Sequence, residues 1–229
     1  MSMEKKLKVR GVVMLVTFFG LLLGIFSPVF PGKVNGLDYM DNLFNMISKG
    51  SSYFIPASIT ESEKYAGKMI NVTFALADEK QATDTAKLFL ASGAEVTVAG
   101  NELAVKGDMG RIMKSSLEDA DQMFQNKGTP LAAKYGYSEK QVLFNWWTAF
   151  KGMGRDLTKQ KSFKQAKTIG SIQTKAIEPA YNYYGVEAGS YQDNFMLIIT
   201  ALVFYVIYTL WYGFGIMFLF EGLGLKIGH

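Results

Sequence analysis

Two long apolar stretches without a single charge bracket a polar middle. Residues 11–30 read GVVMLVTFFGLLLGIFSPVF and residues 195–220 read FMLIITALVFYVIYTLWYGFGIMFLF. At about 1.5 Å per residue, each helix is long enough to cross the ~30 Å hydrocarbon core of a bilayer. The first stretch follows a basic start, as a signal peptide would, but the following SPVFPG run offers no A-x-A-like cleavage site. Two transmembrane helices are therefore expected, with short tails at residues 1–10 and 221–229.

Between them the periodicity changes several times. In the membrane-proximal segment, residues 32–56, Leu37, Met40, Leu43, Phe44 and Ile47 share one helical face. That face suits either the bilayer interface or packing beneath a domain. Pro56 then reads as the start of a polar link. Within residues 57–128, Ile70, Val72, Phe74 and Leu76 alternate as in a half-buried strand, and a helix over 79–92 stops at Gly93. Val96 and Val98 alternate, Gly100-Asn101 supplies a two-residue turn, and Leu103 and Val105 alternate again. Asp108 is placed to cap a further helix whose inner face carries Met109, Ile112, Met113, Leu117, Ala120 and Phe124. The order β-α-β-β-α resembles a ferredoxin-like half without its last strand, and it leaves a sheet edge in need of cover.

Residues 129–194 are expected to form a helical hairpin followed by a tyrosine-rich membrane-proximal segment. Ser138 and Gln141 form a capping-box pattern, and Leu143, Trp146, Phe150, Met153 and Leu157 recur at spacings of three and four. A second helix over 161–177 carries Phe163, Ala166, Ile169, Ile172 and Ala176, making a helical hairpin. The expected fold is a membrane-anchored α+β protein. Two transmembrane helices flank an extracytoplasmic domain, which holds the small β-α-β-β-α module and the hairpin.

Orientation follows from basic residues near the span ends. Lys5, Lys6, Lys8 and Arg10 precede the first span and Lys226 follows the second, while Lys33 is the one basic residue close to the outer ends. Both termini are thus expected in the cytoplasm and residues 32–194 outside it. The absence of cysteine from that outer region leans toward a bacterial inner membrane.

Composition narrows the chemistry further. There is no cysteine, and the one histidine is His229. Disulfides, thiolate metal sites, histidine bases and histidine-ligated metals are therefore excluded. No catalytic, metal or cofactor-binding constellation is found, and an enzyme is the lowest-ranked class. Glu118, Asp119 and Asp121 read as the solvated outer face of their helix rather than a calcium site. The Asn71-Val-Thr73 sequon falls in an expected strand.

Charge and aromatic residues supply the remaining candidates. Residues 140–175 hold eight Lys/Arg against one acid, Asp156, whereas residues 57–139 hold nine basic and twelve acidic residues. Lys151, Arg155 and Lys159 are spaced by four and share a helix face; with Lys164 and Lys167 they are candidate contacts for a partner or lipid headgroups, or else a solvated surface. Tyr181, Tyr183, Tyr184 and Tyr191, ahead of the second span, suit an interfacial belt or a pocket. Of the adjacent Trp146 and Trp147, one is expected in the core and the other exposed, buried at its flank or in contact with a neighbour. Gly20 and Gly24 form a small-xxx-small pair, and Gly213 and Gly215 offer a similar close approach in the second span.

Three functions follow in order. The first is a non-catalytic subunit or scaffold of a membrane assembly, contacting lipid and other membrane subunits or further copies of itself, without nucleic acid. The second is an extracytoplasmic ligand-binding or sensing protein acting through a separate partner. The third is an oligomeric pore or ring. Two spans around a large outer domain resemble, in topology, the polysaccharide co-polymerases and some trimeric channels. The proline-rich motif beside the second span of the co-polymerases is missing here.

Overall fold

Among the described residues helix dominates, and a single sheet has three strands. The computed structural model describes residues 2–225, so Lys226 and His229 lie outside the described residues. In chain order the elements are α1 (Met3–Phe26), α2 (Gly36–Ser51), α3 (Ile55–Glu63), β1 (Met69–Ala75), α4 (Glu79–Ala91), β2 (Glu95–Ala99), β3 (Glu102–Asp108) and α5 (Met109–Phe124). Then follow α6 (Thr129–Tyr135), α7 (Glu139–Lys159), α8 (Phe163–Ile172), a π-helical turn (Gln173–Ile177), α9 (Glu178–Asn182) and α10 (Phe195–Gly222). Helices α1 and α10 are both long and apolar enough to cross a membrane. Helix α1 starts earlier and stops sooner than the apolar run suggests. Ser2 caps it by accepting the Lys5 N–H at 3.4 Å, and it ends at Phe26 because Ser27, the residue before Pro28, is extended.

The chain forms two compact units. One comprises residues up to 47 and from 189 onward, and the other residues 48–188. In the central unit the strand order is β1-β3-β2, all antiparallel, with Val72 opposite Val105 and Phe74 opposite Leu103. Ile70, Val72 and Phe74 point inward and are buried, while their neighbours along β1 face outward. Gly100, at φ +60°, makes the turn between β2 and β3 that an L-residue would adopt only with strain. Asp108 caps α5 as expected, its carboxylate accepting the Arg111 N–H at 3.2 Å. Ser138 likewise accepts the Gln141 N–H at 3.4 Å, but the Gln141 side chain turns to Asn145 Oδ1 at 2.8 Å instead of closing the box.

One continuous core joins the strands to α3, α5, α7, α8 and the π turn. Leu143, Trp146, Phe150, Met153 and Leu157 all lie in it, beside Phe89, Ile112, Leu117 and Ile169. Four expectations are corrected. Pro56 begins no link: it sits in the first turn of α3, where its missing N–H costs nothing, and Ile55 beside it is buried. Val98 is 40% exposed: β2 is an edge strand, and of its residues Val96 is the one packed against the core. Phe163 is 63% exposed, since it opens α8 just after the left-handed Lys161 and before that helix reaches its seam. Asp119 is fully buried instead of solvated.

The open edge of β1 is dressed by side chains of α7. Asp156, the one acid of the basic stretch, accepts the Thr73 N–H at 3.1 Å, and Gln160 donates to the Asn71 carbonyl at 2.8 Å. Gln160 also donates to Asp156 at 2.7 Å, which fixes the pair. Two of the backbone groups that would template another strand are thereby occupied.

Candidate functional site

The two apolar helices meet through glycine. A Cβ placed on Gly11 would fall 2.5 Å from the Leu219 backbone nitrogen and 2.9 Å from the Gly215 carbonyl oxygen, and one on Gly222 would strike the Lys8 backbone. The helix backbones therefore touch, and they run antiparallel: Lys8 lies by Gly222, Met14 by Trp211 and Phe18 by Tyr208. The Trp211 indole N–H donates to the Met14 carbonyl and to Thr17 Oγ1, each at 3.0 Å, and Tyr208 donates to the Phe18 carbonyl at 3.0 Å. In an apolar surrounding such polar links between helices find no competition from water. Of the four glycines singled out from the sequence, Gly215 is at this contact: a Cβ placed on it would fall 3.3 Å from the Met14 Cβ. Gly20, Gly24 and Gly213 have open space where a Cβ would stand. Gly11 and Gly222, which carry the closest approach, stand outside any small-xxx-small pair and become visible only once the helices are aligned.

The aromatic candidates separate. Trp146 is fully buried between Phe89 and Phe150, at ring distances of 5.3 and 5.7 Å. Trp147 is half-buried at the flank, stacked on Phe144, with the Lys151 ammonium 4.9 Å from its ring centre. Tyr184 rests against the core and donates to Glu139 at 3.2 Å; burial and that carboxylate raise its pKa. Tyr183 is half-buried, while Tyr181 and Tyr191 are exposed. None of the clefts described here is lined by these tyrosines.

The basic candidates also fall into two groups. Lys151 and Arg155 line a cleft of about 340 Å³ with Trp147, Phe144 and Gln81, where β1 runs out toward α4. Lys164 and Lys167 line a different cleft, of about 500 Å³, together with Lys175 from the π turn. Lys159 is exposed and belongs to neither.

No family model, curated protein or solved structure matches this chain. The assignment of function therefore stands on the residues themselves.

Asp119 and Lys49 are the most deeply buried charged side chains of the central unit, and sequence periodicity points to neither. Asp119 accepts the Trp146 indole N–H at 2.8 Å, the Tyr135 hydroxyl at 2.7 Å and the Lys134 ammonium at 3.0 Å. Burial, then the adjacent Asp119 charge, pushes the Tyr135 hydroxyl far above the ordinary tyrosine pKa, so it remains a donor. Lys49, at the end of α2, is also buried. Its ammonium donates to Asn126 Oδ1 at 2.9 Å, the Tyr183 carbonyl at 3.1 Å and the Val186 carbonyl at 2.6 Å. Burial holds its pKa below the usual lysine value, against the pull of Glu187. All three ammonium hydrogens are matched, which identifies Lys49 as a clasp rather than a group waiting for a ligand.

Proposed function

We propose that this chain is a non-catalytic membrane subunit or scaffold, with α1 and α10 as its two transmembrane helices and residues 48–188 as an extracytoplasmic contact domain. The observation that carries the reading is the division of labour among the glycines. Gly11, Gly215 and Gly222 serve the pairing of α1 with α10, and Gly20, Gly24 and Gly213 remain open on the apolar outer surface. Open glycines on a lipid-facing helix allow another helix to approach closely. Large apolar side chains exposed along both helices, among them Val16, Phe19, Leu23, Leu202, Val206 and Phe214, suit a lipid surround. The antiparallel pairing is what two spans with both termini on one side require.

The orientation has both ends in the cytoplasm, drawn there by Lys5, Lys6, Lys8 and Arg10. In intact cells a cysteine at exposed Lys161 is expected to react with a membrane-impermeant maleimide, and one at Ser2 is not. The reverse pattern would overturn the orientation. The assembly itself is tested by native mass. Extracted in mild detergent at natural expression level, the chain is expected to run as a defined oligomer or with other membrane subunits. Gly20→Leu with Gly24→Leu is expected to release those partners while α1 and α10 stay paired. A well-folded monomer from the unaltered chain would sink the proposal.

A further inference from the structure

We propose that the lysine-lined cleft between α3 and α8 is the docking groove for an acidic segment of a partner protein. This rests on the assembly role above and names the chemistry of one of its contacts. The groove holds about 500 Å³ and is walled by Phe54, Ala57 and Tyr65 on one side, and by Thr168, Ser171 and Ile172 on the other. Its rim carries Lys164, Lys167 and Lys175, all exposed and none in an ion pair among the described residues. The one acid at the groove, Glu61, is already paired with Lys64.

The spacing selects the occupant. Lys164 and Lys167 from α8 and Lys175 from the π turn all line this one cleft. From first to last they extend over roughly 16 Å. A single phosphate or headgroup meets one end of such a row, whereas a peptide with several carboxylates meets all of it. Lysines present separate point charges rather than the planar fork that arginine offers to one phosphate. Phe54, Ala57, Tyr65 and Ile172 give the lining an apolar share, which suits the side chains interleaved between carboxylates. It is also preformed, since the Tyr65 hydroxyl and Thr168 Oγ1 are joined at 2.7 Å in its buried wall. The π turn that carries Lys175 is a second mark, as single π turns inside helices occur disproportionately at functional sites.

The test uses the full chain in discs of zwitterionic lipid and a fluorescein-labelled peptide of alternating Glu and Ala, about twelve residues long. Fluorescence anisotropy is expected to show saturable binding that weakens with salt. Lys164→Gln, Lys167→Gln and Lys175→Gln together are expected to weaken it about ten-fold, as three exposed pairs of a few-fold each compound. The charge-matched set Lys151→Gln, Arg155→Gln and Lys159→Gln is expected to leave it within about two-fold. Equal loss in both sets would mean general attraction to a basic surface, and would overturn the groove. So would absence of binding, or displacement of the peptide by anionic phospholipid in the disc through the same three lysines. Native mass separates the two proposals: a complex that persists while the peptide fails to bind removes the groove and leaves the scaffold.

Discussion

Asp119→Leu is expected to destabilise the central unit by about 3 kcal/mol, with a fall in melting temperature of roughly 10 °C. The carboxylate is fully buried, and it is the hydrogen-bond partner of both the Trp146 indole N–H and the Tyr135 hydroxyl. Leucine fills similar space but accepts nothing, so two buried donors lose their acceptor, each at about 1–3 kcal/mol. The Lys134 side chain is 42% exposed and returns to water, so its share of the loss is small. Asp119→Asn keeps one acceptor and should cost less than leucine. Adding Trp146→Phe to Asp119→Leu removes one orphaned donor and is expected to add less than the sum of the two single losses. Thermal unfolding of the full chain, followed by tryptophan fluorescence in detergent, measures all of these. A change below about 1 kcal/mol for Asp119→Leu would mean that water or a neighbour takes over the carboxylate's role.

Gly11→Leu is expected to separate α1 from α10. A Cβ there already overlaps the Leu219 and Gly215 backbones, and leucine adds three further heavy atoms. Rotamer changes do not relieve a clash with backbone, so the helices must move apart or slide. Overpacking of this kind costs about 1–3 kcal/mol where the surroundings give, and more where they do not. The chain has no cysteine of its own, which permits a clean reporter. The Met14 Cβ lies 3.3 Å from where a Gly215 Cβ would be, close to the span of a disulfide. Met14→Cys with Gly215→Cys is therefore expected to cross-link under mild oxidation. Adding Gly11→Leu should suppress the cross-link about ten-fold, while Gly20→Leu, which meets open space, should leave it intact. Equal yields in both backgrounds would show that α1 and α10 do not pack through Gly11.

Much of the central unit is legible along the chain because its signals are local. The alternation of Ile70, Val72 and Phe74, the Gly100 turn, the Asp108 cap and the seam from Leu143 to Leu157 each rest on neighbours a few residues away. Their burial follows directly from that pattern. Asp119 is hidden for the opposite reason. Its donors come from Lys134, Tyr135 and Trp146, distant in sequence on α6 and α7, and helix periodicity assigns a carboxylate to the outside by default. Lys49 is concealed likewise, since its acceptors lie up to 137 positions away. The basic residues show the same limit. Counting by fours joins Lys151, Arg155 and Lys159, yet the turn after α7 delivers Lys164 and Lys167 to a separate cleft that α3 completes. Where Pro56 was concerned, composition suggested a break and position within the helix reversed its meaning.

The Lys49 clasp bears on how such a chain can be built and rebuilt. Within the central unit it fastens residue 49 to the carbonyls of Tyr183 and Val186, and within the other unit the Gly189 N–H donates to the Met46 carbonyl at 3.0 Å. The outgoing and returning segments are thus tied side by side in each unit separately. A module whose two ends lie together has the anatomy of an insertion. Domains of this anatomy tolerate insertion and circular permutation, and the contacts that pair α1 with α10 lie outside it.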